Sequence, residues 1–346
     1  MPLSTFKKYG LSLGLGLPLG WFVAQMAWVA ARLARIDPAA SLAQHANRGE
    51  PGFRLLADRE TEHYAMRHTV EDGIERILYT PQQRRHATPI LMQHGMFHGA
   101  WTWQWWQPLF AEWGWESVAV SLPGHGASPA QRQIELCTLD YYLGFLKAEV
   151  ERLEQPPRRT LPPRQTLPPV LIGHSMGGAL TQWYLKYCGD LPAAVLVAPW
   201  VSHSTVQDGL PRILSVDPLV GLLTALAWSA TPWIRSPERA ARLFITAGAA
   251  ISPEELHDRL GPESALVVLQ HNPPFWSPPD DVRTPLLWLT GEKDATISVP
   301  GAARSAEFYQ AEHVIVPRAG HNLMMEASYR ETARSIAEWL EKLELP

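Results

Sequence analysis

The sequence predicts an α/β fold: a mostly parallel sheet with helices on both faces, interrupted by one helical insertion and preceded by an apolar N-terminal helix. Three observations predict it. Short apolar runs such as Pro89–Met92, Val170–Ile172 and Leu286–Leu289 alternate with stretches of helical spacing, and short all-apolar strands between helices belong in a sheet covered on both faces. Residues 199–282 break this alternation with a stretch rich in Leu, Trp and Pro. Leu11 to Ala31 is a run of 21 residues without a charge.

Composition sets the outer bounds. The chain has 346 residues, a formal net charge of -4, 46% hydrophobic and 18% charged residues. That is a globular composition, long enough for one large domain with additional sequence. The charge balance shows no basic face for nucleic acid. Two cysteines, Cys137 and Cys188, cannot staple a domain of this size and read as buried free thiols. Neither has a Cys-x-x-Cys partner, so no cysteine-based metal site is expected.

The elements follow in chain order. Lys7 and Lys8 precede the Leu11–Ala31 run, and Arg32 and Arg35 follow it. Its length matches a helix crossing a hydrocarbon core of about 30 Å, and basic flanks suit a membrane anchor over 1–35. A cleaved signal peptide and a helix packed on the domain are the alternatives. Residues 36–60 read as a linker of weak structure. His63–Thr69 and Ile74–Thr80 flank Glu71-Asp72-Gly73 as a hairpin. Ile90–Met92 and a run within Glu116–Leu122 read as strands, and Thr138–Leu153 has helical spacing. Residues 155–169 hold six prolines, with Thr-Leu-Pro-Pro written twice, and predict an extended solvated loop. Val170–Ile172 is a strand leading to a helix from Met176 to about Tyr187; Ala193–Ala198, Leu286–Leu289 and Val314–Val316 are further strands, and a last helix covers about Ala327–Leu343. The core is then 61–198 and 283–346, with 199–282 as a lid or cap insertion.

The chemistry starts at Gly173-His174-Ser175-Met176-Gly177, a G-x-S-x-G between a strand and a helix. A nucleophilic serine there must sit on a very tight turn, and Gly173 and Gly177 leave room for it. A serine hydroxyl needs a base. Of 13 histidines, His321 is best placed, in a loop between a strand and the final helix. The base needs a carboxylate to set its tautomer, and Asp294 follows the strand Leu286–Leu289. An oxyanion would be held by the main-chain N–H of Met176 and of Met96, which follows His94-Gly95. His98, His125 and His174 lie near these motifs and read as packing or loop hydrogen-bonding residues.

Taken together, these motifs resemble the α/β-hydrolase superfamily, in its lidded esterase- and lipase-like branch. His94-Gly95, the loop Leu122-Pro123-Gly124-His125-Gly126-Ala127-Ser128, the turn at Ser175, Gly291–Asp294 and Gly320-His321 carry the resemblance over about residues 63–343. Its members often have Asp at the position of Ser121. The order Ser175, Asp294, His321 is the order of that superfamily. The resemblance implies eight strands, a helical lid and no cofactor, but no single reaction.

Trp101, Trp103, Trp105, Trp106, Trp113 and Trp115 crowd the segment after His94-Gly95. They read as the wall of an apolar acyl pocket, as a membrane-interface belt, or as helix core. The expected function is cleavage of a small lipophilic carboxylic ester through an acyl-enzyme, without metal or nucleic-acid partner, on a membrane held by the N-terminal segment. The same triad acting on an amide, a thioester or a carbon–carbon bond is the alternative. A non-catalytic binding protein of this fold is the second.

Overall fold

The computed structural model describes residue 24, residues 27–155 and residues 167–345. Most of the Leu11–Ala31 run and residues 156–166 of the proline-rich 155–169 segment lie outside the described residues. The chain divides into two compact units, Met1–Pro38 and Ala39–Pro346. In the first, residues 27–34 are helical, and the helix ends where the amides of Arg35 and Ile36 turn back onto Arg32 and Leu33.

The second unit is built on a sheet that has nine strands among the described residues: β1 (Phe53–Glu60), β2 (Tyr64–Glu71), β3 (Ile74–Pro81), β4 (Ile90–Gln93), β5 (Ser117–Ser121), β6 (Val170–His174), β7 (Ala194–Val197), β8 (Leu286–Gly291) and β9 (Glu312–Val316). Their spatial order is β1-β2-β3-β5-β4-β6-β7-β8-β9. The sheet is mixed. From β1 through β3 to β5 the pairings are antiparallel, and from β5 to β9 they are parallel.

Two details depart from the sequence expectation. The sheet has nine strands rather than eight, and the extra strand β1 lies in the stretch read as a linker, as does a short helix α1 (Pro38–Ala43). The reason is visible in the burial of β1. Seven of its eight residues are exposed and the eighth, Ala57, is half-buried. An edge strand with no buried face shows neither an apolar run nor clean alternation. It forms through pairing with β2, with a register shift between Leu55 and Ala57 that blunts the open edge.

The hairpin forms as its turn residues dictate. Asp72 and Gly73 both take positive φ, 51° and 75°, and Glu71 pairs with Ile74. That is the two-residue turn whose twist suits antiparallel strands.

Helices α2 (Gln107–Glu112), α3 (Leu139–Glu154) and α4 (Met176–Tyr187) pack on the sheet. The segment between β7 and β8 contains α5 (Thr205–Val216), α6 (Val220–Ala227), α7 (Pro237–Phe244), α8 (Pro253–Arg259) and α9 (Ala265–Gln270); α10 (Val299–Phe308) and α11 (Tyr329–Glu341) complete the core. The parallel strands are apolar along their length because both faces are covered: Ile90, Leu91, Met92, Val170, Leu171 and Ile172 are all fully buried. Both cysteines are free thiols, Cys137 buried and Cys188 half-buried.

Among the described residues no single helix is long and apolar enough to cross a membrane; α5 and α6 pass that test together but are bent by 111° at their break.

The register decides where loops meet. Gln93 pairs with Gly173, His174 with Val197, Val197 with Leu289, and Gly291 with Val316. The carboxyl ends of β4, β6, β7, β8 and β9 therefore line one edge, where an α/β sheet places its ligand site.

Candidate active site

Ser175 occupies the turn between β6 and α4 with φ 52° and ψ -114°. A non-glycine residue in this region stores roughly 1–3 kcal/mol of strain and persists only where its surroundings over-determine it. Here they do. The Ser175 amide donates to the Val197 carbonyl at 2.9 Å, and its carbonyl accepts from Ala179 at 3.0 Å. The two flanking glycines are required by close approach. A Cβ at Gly173 would lie 2.4 Å from the Gly177 carbonyl oxygen, and one at Gly177 would lie 2.3 Å from that of Gln93.

Asp294 follows β8 and His321 follows β9. His321 Nδ1 lies 2.8 Å from Asp294 Oδ2, with both side chains buried. The other carboxylate oxygen, Oδ1, accepts from the amides of Thr296 (2.7 Å) and Ile297 (2.9 Å) and from the Thr296 hydroxyl (2.9 Å). Burial pushes the Asp294 carboxyl up, but the imidazole beside it and these donors outweigh burial and hold it below its ordinary value. The carboxylate stays ionised and faces the ring nitrogen.

Thr296 is a member of this group that the sequence reading missed. Its Oγ1 is also 2.7 Å from His321 Nδ1. Because that hydroxyl donates to Asp294, it accepts from the imidazole, and one ring N–H is shared between two oxygens. A hydroxyl two residues after an acid that closes a local turn is the signal that could have found it.

The loops are stitched to one another. The Lys293 amide donates to the Ala319 carbonyl and the Glu292 amide to that of Val316. Glu326 accepts from the amides of Gly320 (3.0 Å) and Thr246 (2.9 Å), which ties the His321 loop to the insertion.

The loop after β4 abuts the serine. A Cβ on Gly95 would come within 2.8 Å of Ser175 Cβ, so Met96 begins beside Ser175. Met176 is the first residue of α4, where main-chain N–H groups have no partner inside the helix.

Ser175, His321, Met96, His98 and Thr296 line one narrow cavity of ≈ 70 Å³, whose remaining walls are apolar apart from Thr205: Phe97, Trp200, Ile213, Trp233, Phe244 and Val268 among them. Trp200 and Trp233 belong to the insertion, as does Leu210 of α5, at the cavity's rim. The six tryptophans from Trp101 to Trp115 do not line this cavity. Trp103, Trp106 and Trp115 are fully buried core, and Trp101, Trp105 and Trp113 pack partly buried against it.

Three further histidines have fixed partners. His98 Nδ1 contacts the Met96 carbonyl and His174 Nε2 the His321 carbonyl, while His125 Nε2 meets Glu263 of the insertion at 3.0 Å. Burial pushes His98 down to about 3 and His174 well below its ordinary value, so both rings are neutral. Among the described residues no group of three or more His, Cys, Asp or Glu side chains is placed to hold a metal ion.

The position of Ser121 is explained by its neighbour strand. Ser121 Oγ donates to Glu75 of β3, and the Ala127 amide donates to the same carboxylate at 2.9 Å. His68 Nε2 sits 2.6 Å from its other oxygen. Where the resemblance led to an expectation of Asp at 121, this chain sets Ser121 against the carboxylate of Glu75, its register partner across the β3–β5 pairing.

Residues 90–335 match the model of a family described as the alpha/beta hydrolase family. The chain belongs to the alpha/beta hydrolase family. None of the curated proteins matches it by sequence. Among solved structures this hydrolase resembles the monoacylglycerol lipase of Paleococcus ferrophilus, with 18% identity, a TM-score of 0.54, and 78% of this chain and 99% of that one covered. It also resembles a soluble variant of the monoglyceride lipase of Saccharomyces cerevisiae (14%, TM-score 0.57, 87% and 99% covered) and an esterase from Exiguobacterium antarcticum (13%, TM-score 0.56, 81% and 100% covered). At these identities the likeness is one of fold.

Proposed function

We propose that this alpha/beta hydrolase cleaves a carboxylic ester with an apolar acyl group through an acyl-enzyme on Ser175. The observation that carries the reading is the buried 2.8 Å contact between His321 Nδ1 and Asp294 Oδ2 in the same cavity as a serine on a strained turn. Ser175 Oγ attacks the ester carbonyl while its proton passes to His321 Nε2. Asp294 and Thr296 hold the ring so that Nε2 is the free nitrogen. The N–H groups of Met96 and Met176 receive the oxyanion. The C–O bond then breaks, the leaving alcohol takes the proton from His321, and an acyl-serine remains. Water, deprotonated by the same histidine, hydrolyses it and restores the hydroxyl.

The apolar lining of Phe97, Trp200, Ile213, Trp233 and Phe244 supports a lipophilic substrate, because such walls reject a charged group and bury hydrocarbon. The monoacylglycerol and monoglyceride lipases of similar fold support the ester bond over an amide, thioester or carbon–carbon bond. The helical segment between β7 and β8 acts as the lid. The Leu11–Ala31 run holds the enzyme on a membrane from which such substrates are drawn.

The test is labelling with a fluorophosphonate probe, with the modified peptide mapped by mass spectrometry. Labelling at Ser175, abolished in Ser175→Ala along with turnover of esters of graded chain length, is the expected outcome. A folded protein that takes no label and hydrolyses no ester refutes the reading.

A further inference from the structure

Resting on that reading, we infer that His98 is a positioning residue: it fixes the main chain that presents the Met96 N–H to the oxyanion, and Asn322, the residue after His321, holds His98 in register.

Three successive carbonyls of the loop after β4 are each tied down, the first of them by two donors: His94, whose Nε2 accepts the Leu122 amide at 3.0 Å, donates from Nδ1 to Gly95 O at 2.8 Å. Gly95 O accepts from the His98 amide at 3.3 Å, Met96 O faces His98 Nδ1 at 2.6 Å, and Phe97 O accepts from the Gly261 amide at 2.7 Å. In a trans peptide the N–H points opposite to the preceding C=O. Tying down Gly95 O therefore aims the Met96 N–H the other way. His94 thus holds the peptide before Met96, while the His98 ring, 2.6 Å from Met96 O, holds the peptide after it, so Met96 is fixed from both ends.

The loop needs such ties. Phe97 has φ 66°, a left-handed conformation that a bulky side chain adopts only under constraint. The constraint comes from two sides: Gly261 of the insertion and His98 of the loop itself.

The hydrogen-bond pattern admits one state of the His98 ring. A carbonyl only accepts, so Nδ1 carries the proton that it donates to Met96 O. Nε2 is then the acceptor, and it receives Asn322 Nδ2 at 3.0 Å. His98 and Asn322 are both buried, and the Asn322 amide is itself anchored on Phe244 O at 2.8 Å. With both ring nitrogens engaged, His98 has no free lone pair with which to act as a second base, although it lines the cavity. Its chemistry is that of a clamp. The chain Asn322–His98–Met96 joins the loop bearing the base to the loop bearing the oxyanion donor, so the two halves of the site share one set of hydrogen bonds.

The experiment uses the full chain and compares His98→Leu, His98→Asn and Asn322→Ala with wild type. It measures kcat and KM on a p-nitrophenyl ester and inhibition by an alkyl trifluoromethyl ketone, whose serine adduct carries an oxyanion. Each variant's melting is recorded as a check on folding. The expected result for His98→Leu is a loss in kcat of about 30-fold, short of the 10² to 10³ of a deleted oxyanion donor, because His94 still holds Gly95 O. Its KM stays within about twofold, and the ketone weakens in parallel with kcat. His98→Asn, whose Nδ2–H can still donate to Met96 O, recovers most of the loss. Asn322→Ala shows a smaller loss of the same kind, about 10-fold. The inference is overturned if cooperatively melting His98→Leu keeps its kcat and its ketone affinity, or if His98→Asn recovers nothing. Should His98→Leu fail to fold, an Asn322→Ala enzyme with wild-type kcat and ketone affinity overturns it equally. A wild-type protein inert to fluorophosphonate and ketone alike would instead remove the ester-hydrolase reading, which is a separate outcome.

Discussion

At the residue scale, the proposed chemistry depends on the tautomer of one imidazole. Asp294 is ionised and buried, and its two oxygens divide the work. Oδ2 faces His321, while Oδ1 is saturated by the Thr296 and Ile297 amides and the Thr296 hydroxyl. Asp294→Asn preserves the shape but turns an N–H toward a ring nitrogen that must itself donate. The wrong tautomer results, and kcat on an ester should fall by about 10³ to 10⁴ while the protein still melts cooperatively. Steady-state kinetics beside a thermal melt decide it, and full activity would place the acid elsewhere. The placement of Ser175, Asp294 and His321 after β6, β8 and β9 was legible in the sequence, because each follows a recognisable strand in a short motif. Thr296 was not. Its role depends on two partners, the Asp294 carboxylate to which it donates and the ring N–H of a residue 25 positions away from which it accepts.

At the element scale, the loop from Leu122 to Ser128 is held by a carboxylate from another strand. Glu75 receives the Ser121 hydroxyl and the Ala127 amide, while the Glu75 amide donates to Ser128 Oγ at 2.8 Å. Burial pushes the Glu75 carboxyl up, but His68, Ser121 and Ala127 together hold it below its ordinary value. Glu75→Ala strips these buried donors of their acceptor, at about 1–3 kcal/mol for each one left unsatisfied. Chemical denaturation should show that loss, and Glu75→Gln should lose less. The element scale also explains where β1 escaped notice: with almost every residue exposed it leaves no pattern, and its existence is a property of β2. The insertion shows the reverse. Leu219, Leu222 and Leu226, at and within α6, are 59%, 60% and 58% exposed, near α5, which carries the rim residue Leu210. Under the proposed membrane attachment, these leucines are a candidate contact besides the N-terminal segment. Deleting residues 1–35 should move the protein from the membrane pellet to the supernatant. If the deleted form still sediments with lipid vesicles, replacing Leu222 and Leu226 by Glu should release it.

At the scale of the whole molecule, the buried histidines set the response to acid. Burial holds His98 and His271 at about 3 and His94 and His174 well below 6.5. In the unfolded chain these rings titrate near 6.5. Between about pH 3 and 6.5 the unfolded chain therefore binds more protons than the folded one, and stability rises with pH across that window. Each such ring contributes about 1.4 kcal/mol per pH unit within it. Glu149 acts in the same direction at lower pH. Burial raises it, but Arg152 and Arg76 outweigh burial and hold it at about 2, so its contribution is lost as pH falls through the unfolded carboxylate value toward 2. The urea midpoint should drop steeply from pH 7 to pH 5. His271→Gln cannot take up the proton and should flatten the profile; an unchanged slope would show that this ring does not contribute.

What the sequence by itself determined is local and periodic. The apolar runs from Ile90, Val170 and Leu286 mark strands because a covered parallel sheet demands continuous apolar residues. The two-residue turn at Asp72-Gly73 and the glycines around Ser175 follow from φ values and close approaches that few other residues tolerate. What only the tertiary structure decided are meetings between residues far apart in the chain. The cavity wall is built by Trp200 and Trp233 rather than by the tryptophans at 101–115, Ser121 meets the carboxylate of Glu75 on another strand, and Asn322 reaches His98 across 224 positions. Spacing along a chain reports which side of one element a residue faces. It carries no record of which loops a sheet register brings to the same edge, and that register is set by the packing of the whole.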